Sequence, residues 1–188
     1  MENTPKKDAQ LTEALRFCHI VQSYALRDTS YRAALRHAFG HPLRAQRTDA
    51  WMAFSRAFDQ VKLPKWAEED AYFIAGLICS QELSSENRLG MPITYLIRNL
   101  SDADNESAMH RLRGILPVHH HAILHKKLFG LIRYLQSKQS QPIHSGYLLS
   151  DLLRWNEPSH PVQREWLHRI MGPIAKRHLP EPSNDDSD

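Results

Sequence analysis

Apolar residues recur at helical spacing along almost the whole chain, and no stretch alternates β-branched with polar residues as a half-buried strand would. The clearest stripe is Leu124, Leu128, Leu131 and Leu135, whose steps of four, three and four residues place all four on one face of a helix. Comparable sets predict eight further helices, containing Leu11–Ala25, Ala33–Ala38, Trp51–Phe58, Tyr72–Cys79, Ile93–Leu100, Ala108–Leu116, Leu148–Leu153 and Val162–Ile170. We therefore predict an all-α fold, a two-lobed helical bundle of about nine helices.

Polar and conformationally restricted residues mark where these helices begin. Residues 28–30 (Asp-Thr-Ser) and 101–106 are typical of helix N-caps. The acidic residues 68–70 suit the first turn of the fourth helix, where they complement the helix dipole, and Pro92 suits the first turn of the fifth. Residues 80–90 lack periodicity and indicate a loop.

The chain is predicted to divide near residue 103. We expect an N-terminal helical lobe over residues 1–103 and a basic C-terminal helical lobe over 104–178. Pro180 and Pro182 lead into a disordered acidic tail, 179–188.

Composition narrows the class of protein. Of the 188 residues, 41% are hydrophobic and 24% charged, which is ordinary for a globular protein with a core. No apolar run is long enough to cross a membrane, and the first ten residues have no signal-peptide pattern. Cys18 and Cys79 both stand among apolar residues, so we expect buried thiols and a cytoplasmic location.

The net charge of +3 hides an asymmetry along the chain. Residues 106–178 carry 11 basic and 4 acidic residues, while 1–105 carry 13 of each and the last ten residues carry four acids. A basic half favours a polyanionic partner such as nucleic acid, although a solvated charged surface gives the same count.

Four histidines within seven residues, His119, His120, His121 and His125, raise the question of a metal site. His121 and His125 would share a helix face, but residue 122 is alanine, so the HExxH pattern is absent. Zinc needs a third ligand, no cysteine lies nearby in sequence, and Lys126 and Lys127 would repel a dication. We predict no metal, no cofactor and no small-molecule substrate. Phosphate-loop, nucleophile-elbow and dinucleotide motifs are also absent, so nothing argues for an enzyme.

Basic residues recur on two of the predicted helices. Lys126 and Arg133 are seven apart and face away from the leucine stripe, with Lys127 beside them; Arg111 and Arg113 flank the apolar stripe of the preceding helix. Such side chains can neutralise phosphates without reading sequence.

The order of several segments resembles the CasB family, the small subunit of the type I-E Cascade complex of CRISPR immunity. The segments are YRAALRHAFG, DAYFIAGLICSQ, NRLGMPITYLIRNLSDADNESAMHRLRGILPV, LHKKLFGLIRYLQS, YLLSDLLRWNEP and VQREWLHRIM, which together cover about residues 30–172.

The resemblance implies a protein without enzymatic activity that assembles with the other Cascade subunits and with a second copy of itself. It would hold crRNA-paired target DNA and the displaced strand by backbone contacts, since base pairing with the guide reads the sequence.

The resemblance also implies which residues contact nucleic acid. Arg32 and Arg36 match early basic positions, and Arg164 matches the last helix. Arg113, Lys126, Lys127 and Arg133 match the basic helices of the second lobe. Met91 stands where the family tends to have a basic residue, and Arg88 is the candidate replacement.

Two other functions stay open on the sequence. One is a helical protein-interaction adaptor with no nucleic-acid role, and the other, ranked third, is zinc-dependent hydrolysis through the histidines. We interpret the histidines of residues 119–125 as partly exposed hydrogen-bonding groups at the start of a helix, which gain positive charge below about pH 6.5.

Overall fold

Nine α-helices form the regular structure of the residues that this computed structural model describes, 4–36, 39–43, 47–82 and 90–172. Their bounds are α1 Thr4–Arg27, α2 Thr29–Arg36, α3 Thr48–Phe58, α4 Glu68–Ser80, α5 Ile93–Arg98, α6 Asp102–Arg113, α7 His121–Lys138, α8 Ser145–Leu153 and α9 Pro161–Met171. A 3-10 turn, Lys65–Ala67, directly precedes α4. The predicted all-α class is confirmed, and within the described ranges no strand forms beyond one isolated bridge between Met91 and Ile143.

Most predicted helix starts agree with the structure. Asp28 Oδ1 accepts hydrogen bonds from the backbone N–H groups of Ser30 and Tyr31 at 2.9 and 3.1 Å, and so caps α2. Ser101 Oγ accepts from the N–H of Asp104 at the start of α6. Pro92 lies one residue before α5 rather than in its first turn.

Helix α4 is the centre of the fold. Every residue from Asp70 to Cys79 is buried, so this helix has no solvated face, and it packs against α1, α2, α3, α7 and α8. Gly76 lets the chain at Phe39 approach closely, because a Cβ on Gly76 would lie 2.9 Å from the Phe39 backbone. Packing against α4 therefore sets the positions of the helices that surround it.

The hydrophobic core continues across the predicted boundary at residue 103. Helix α1 packs against α8, and a Cβ on Gly146 of α8 would lie 2.5 Å from Leu15 of α1. Buried residues from both predicted lobes, such as Phe17 and Leu149, belong to one core cluster. The division into lobes itself stays a prediction.

The segment before α8 is held on both sides. The side chain of Gln81 accepts a hydrogen bond from the Ile143 N–H at 2.6 Å and donates one to the Ile143 carbonyl at 3.3 Å. On the other side, Met91 donates its N–H to the Pro142 carbonyl and accepts from the N–H of His144. Gly90, at φ +94°, makes this approach possible, because a Cβ there would lie 2.3 Å from the Pro142 oxygen.

Two further expectations concern the thiols and the membrane. Cys18 and Cys79 are free and buried, as predicted, and burial raises the pKa of both thiols. Across the part of the chain that the structure describes, no helix combines the length and the apolar character that spanning a bilayer requires.

Candidate nucleic-acid interface

Helices α6 and α7 form a hairpin whose apolar faces are turned inward. Leu124, Leu128, Leu131 and Leu135 are all buried, which confirms the predicted stripe, and α7 packs against both α6 and α4. Helix α6 ends at Arg113, so Ile115 and Leu116 belong to the turn that follows rather than to the helix. The connection is tied down where the indole N–H of Trp155 donates to the Val118 carbonyl at 2.7 Å.

Helices α6 and α7 carry five exposed basic side chains, which we call the α6–α7 basic surface: Arg111, Arg113, Lys126, Lys127 and Arg133. None of the five forms a salt bridge with any residue that the structure describes. Lys127 Nζ lies beside Gly114, 3.4 Å from the position of a Cβ there, and therefore at the C-terminal end of α6. These side chains are available to neutralise an external anion.

The basic residue at the far end of α7 differs from these five. Lys138 Nζ lies 2.8 Å from Asp104 Oδ1. Their hydrogen bond raises the pKa of the Lys138 ammonium and lowers the pKa of the Asp104 carboxyl. Tyr134 donates its hydroxyl to the same carboxylate at 3.0 Å, and the Arg111 guanidinium lies over the Tyr134 ring at 4.8 Å. Arg111 thus lies over an aromatic ring of α7.

The other predicted contact residues lie elsewhere. Arg32 and Arg36 are on α2, where together with Thr29 and Ala33 they line a cavity of about 220 Å³. Arg164 is exposed on α9, which packs against α5. Arg88 lies outside the described residues. Five of the nine predicted residues are thus exposed on the packed pair α6 and α7.

Arg32 is already engaged by the protein. Its Nε donates to the Cys79 carbonyl at 3.3 Å and its Nη2 to the Gln81 carbonyl at 2.9 Å. Both oxygens lie at the C-terminal end of α4, where carbonyls lack partners within the helix and a cation is favourable. Arg36, one turn further on, is exposed.

The histidines separate into two kinds. His119 and His120 are exposed, and the rings of His119 and His160 lie 5.0 Å apart. Helix α7 begins at His121, as expected, but His121 and His125 turn inward to Asp70 of α4. His121 Nδ1 lies 2.7 Å and His125 Nε2 2.6 Å from the same oxygen, Asp70 Oδ1.

This cluster corrects one interpretation of the sequence. Asp70 does not serve only the helix start, because its side chain is 1% exposed and engaged by both imidazoles. The hydrogen bond that His121 donates to the Asp70 carboxylate raises the pKa of His121. Burial raises the pKa of Asp70, but the hydrogen bonds that it accepts from His121 and His125 outweigh burial and lower this pKa. The sequence did hold a signal: Asp70 shares a helix face with Ile74 and Leu77, where a carboxylate needs a buried partner.

The comparisons with known proteins agree on one family. The family model of the CRISPR-associated protein Cse2 matches residues 31–169. No curated protein sequence matches the chain.

Three solved structures are similar in fold. The crystal structure of CasB from M. ruber has a TM-score of 0.60 and 24% identity, covering 77% of this chain and 85% of that one. A CRISPR-associated protein of the Cse2 family from Thermus thermophilus has a TM-score of 0.69 and 19% identity, covering 85% and 98%. A chain of a CRISPR RNA-guided surveillance complex has a TM-score of 0.65 and 24% identity, covering 86% and 93%.

Proposed function

The chain belongs to the Cse2 family of CRISPR-associated proteins, and we propose that it is the small subunit of a type I-E Cascade surveillance complex. In this role it stabilises crRNA-guided target DNA and the displaced strand by contacts to their backbones. The similarity to a chain of an RNA-guided surveillance complex supports the assembly, and family membership confirms the resemblance drawn from the order of motifs.

The observation that carries the nucleic-acid role is the α6–α7 basic surface. Five cationic side chains are exposed on two packed helices, and among the described residues no carboxylate pairs with any of them. Lys138, on the same helix, has a carboxylate partner, so the unpaired state of the others is not a general property of α7. Rigid helices that present unpaired cations suit a phosphate backbone, which offers charge but no sequence information.

Contacts to other subunits are the second part of the proposal. Met52 of α3 is 67% exposed, and Trp66 of the 3-10 turn is 59% exposed. Large apolar side chains at the surface favour protein contacts. An adaptor without a nucleic-acid role would use these apolar side chains but would leave the α6–α7 basic surface without a ligand.

We further propose that the subunit has no catalytic activity and works in the cytoplasm. Cys18 and Cys79 support the location because both are free thiols, as expected where thiols stay reduced. A second copy of the chain in the same complex is part of the proposal, and we expect the assembly rather than a permanent dimer to hold the two copies.

The test compares Cascade assembled with and without this subunit. We expect the complex that contains it to bind a matched duplex more tightly and to keep the displaced strand protected from a single-strand-specific probe such as permanganate. A complex that binds and opens DNA equally well without the subunit contradicts the proposal. Subunit incorporation is measured in parallel, so that failed assembly is not read as failed binding.

A further inference from the structure

The cluster of Asp70, His121 and His125 has no part in the proposed DNA contacts. It joins the first turn of α4 to the first turns of α7, and Asp70 Oδ1 accepts hydrogen bonds from both imidazoles. Asp70 Oδ2 is buried and has no hydrogen-bond partner among the described residues. A buried carboxylate oxygen without a partner is costly, so the position favours a further positive group.

The three ligand atoms are already close together. His121 Nδ1, His125 Nε2 and a carboxylate oxygen of Asp70 all lie within 4.8 Å of one another. The two histidines are one helical turn apart on α7, and the carboxylate comes from a helix packed against it. The third ligand thus comes from Asp70, 51 residues before His121 in the sequence.

We propose that Asp70, His121 and His125 bind a divalent transition-metal ion of the zinc class. Two imidazole nitrogens and one carboxylate oxygen are a set that Zn²⁺ accepts, and water fills a fourth position. The ion takes the place of the two N–H hydrogens that face Asp70, and each neutral imidazole then carries its hydrogen on the opposite nitrogen. Calcium and magnesium are disfavoured because they prefer all-oxygen sites.

The surroundings allow an ion to enter and remain. The side chain of His121 is 30% exposed, so one side of the cluster meets solvent, while His125 is 13% exposed and stacks on Phe73 at 4.8 Å. Lys126 and Lys127 are exposed, whereas His121 and His125 turn to Asp70. The repulsion expected from the sequence is therefore reduced by solvent.

Asn156 sets the strength of the site. Its Nδ2 lies 3.0 Å from His121 Nε2 and donates to the His119 carbonyl at 3.0 Å. Because the Asn156 amide donates to Nε2, it favours the His121 tautomer whose hydrogen is on Nδ1. Metal binding through Nδ1 requires the other tautomer, with the hydrogen on Nε2. The exposed Asn156 side chain must therefore turn away when the metal binds. An acceptor at residue 156 would orient His121 for the metal. We therefore expect Asn156→Asp to bind Zn²⁺ roughly 10-fold more tightly.

The experiment titrates the full-length chain, stripped with a chelator, with Co²⁺ and then Zn²⁺. We expect one Co²⁺ per chain, with the intense visible absorption of a four-coordinate site, displaced by one Zn²⁺. His121→Ala should weaken Zn²⁺ binding roughly 10- to 100-fold. His120→Ala is the matched control, because it removes an exposed neighbouring histidine and should leave binding unchanged.

Several outcomes overturn the proposal. If the wild-type chain binds no stoichiometric Co²⁺ or Zn²⁺, the proposal is wrong, and the cluster is only a hydrogen-bonded link between α4 and α7. Equal Zn²⁺ affinity of the wild type and His121→Ala also overturns the proposal, because the ion then lies elsewhere. His119 and His160 would be the next pair to test. His121→Ala removes the most exposed of the three ligands, and a melting curve in chelator shows whether the variant is folded.

Discussion

Trp166 donates its indole N–H to Asp151 Oδ2 over 2.7 Å, and this hydrogen bond ties α9 to α8. Trp166 is buried and its ring lies edge-on to that of Trp155, 5.3 Å away. Burial raises the pKa of Asp151 to about 6, although the bond from Trp166 works in the opposite direction. A carboxyl group with this pKa holds its proton more tightly in the folded protein than in the unfolded chain.

This relationship predicts a stability that falls with pH. Between the unfolded pKa of 3.8 and the folded pKa of about 6, the folded state binds more protons, so the contribution of Asp151 decreases as pH rises and is fully lost above that range. The whole change is at most about 3 kcal/mol. We expect Asp151→Asn, which keeps an acceptor for Trp166, to be more stable than wild type at pH 8 and to lose that advantage near pH 4. Urea unfolding at both pH values, followed by tryptophan fluorescence, measures this; an advantage of the same size at both would contradict it.

The second prediction concerns the α6–α7 basic surface. Lys126→Ala combined with Lys127→Ala removes two exposed cations, and each lost phosphate contact lowers the slope of log affinity against log salt by about 0.7–0.9. In Cascade rebuilt with this variant, DNA affinity should fall for every sequence tested and the salt slope should flatten by roughly 1–2. Arg113→Ala should act in the same direction by about one contact.

The matched control for that experiment removes two cations from the first half of the chain. Lys62→Ala with Lys65→Ala changes the net charge equally and affects exposed residues. It should leave the salt slope unchanged. Equal losses for both double variants would mean that only net charge matters, and a loss limited to certain DNA sequences would indicate base readout.

The third prediction separates the two arginines of α2. Arg32→Ala deprives the carbonyls of Cys79 and Gln81 of a charged donor, so we expect a loss of about 1–3 kcal/mol in the free energy of unfolding. Arg36→Ala affects an exposed side chain and should change stability by less than about 0.5 kcal/mol. Urea titration of the isolated subunit tests both. If Arg32→Ala is as stable as wild type but weakens DNA binding, Arg32 is a contact residue rather than a helix cap.

The fourth prediction compares two glycines. Gly90→Ala should destabilise the protein by about 1–3 kcal/mol, because Gly90 has a positive φ and a Cβ would collide with the Pro142 carbonyl. Gly130, inside α7, has nothing within 4 Å of the position that an added methyl group would take, so Gly130→Ala should stabilise by roughly 0.5–1 kcal/mol. Melting curves should show a lower melting temperature for Gly90→Ala and a higher one for Gly130→Ala. An unchanged melting temperature for Gly90→Ala would mean that the turn can relax.

The sequence predicted what depends on local spacing. The leucine stripe of α7 and the cap at Asp28 follow from residues within a few positions of one another, and both are confirmed. The bonds of Arg32 to Cys79 and Gln81, and of Asp70 to the histidines of α7, join residues about 50 positions apart. The spacing of apolar residues cannot predict such pairs, because they depend on how the other helices pack around α4.

The packing of α1 against α8 has a consequence for synthesis on the ribosome. About 120 residues separate the end of α1 from the start of α8, and translation at about 5–20 residues per second adds them in roughly 6–24 s. For that time Leu15, which lies against Gly146 of α8 in the folded protein, lacks the surface that covers it. The nascent chain therefore exposes the part of α1 that α8 finally covers, and a chaperone that shields this part until α8 emerges would raise the yield of folded subunit.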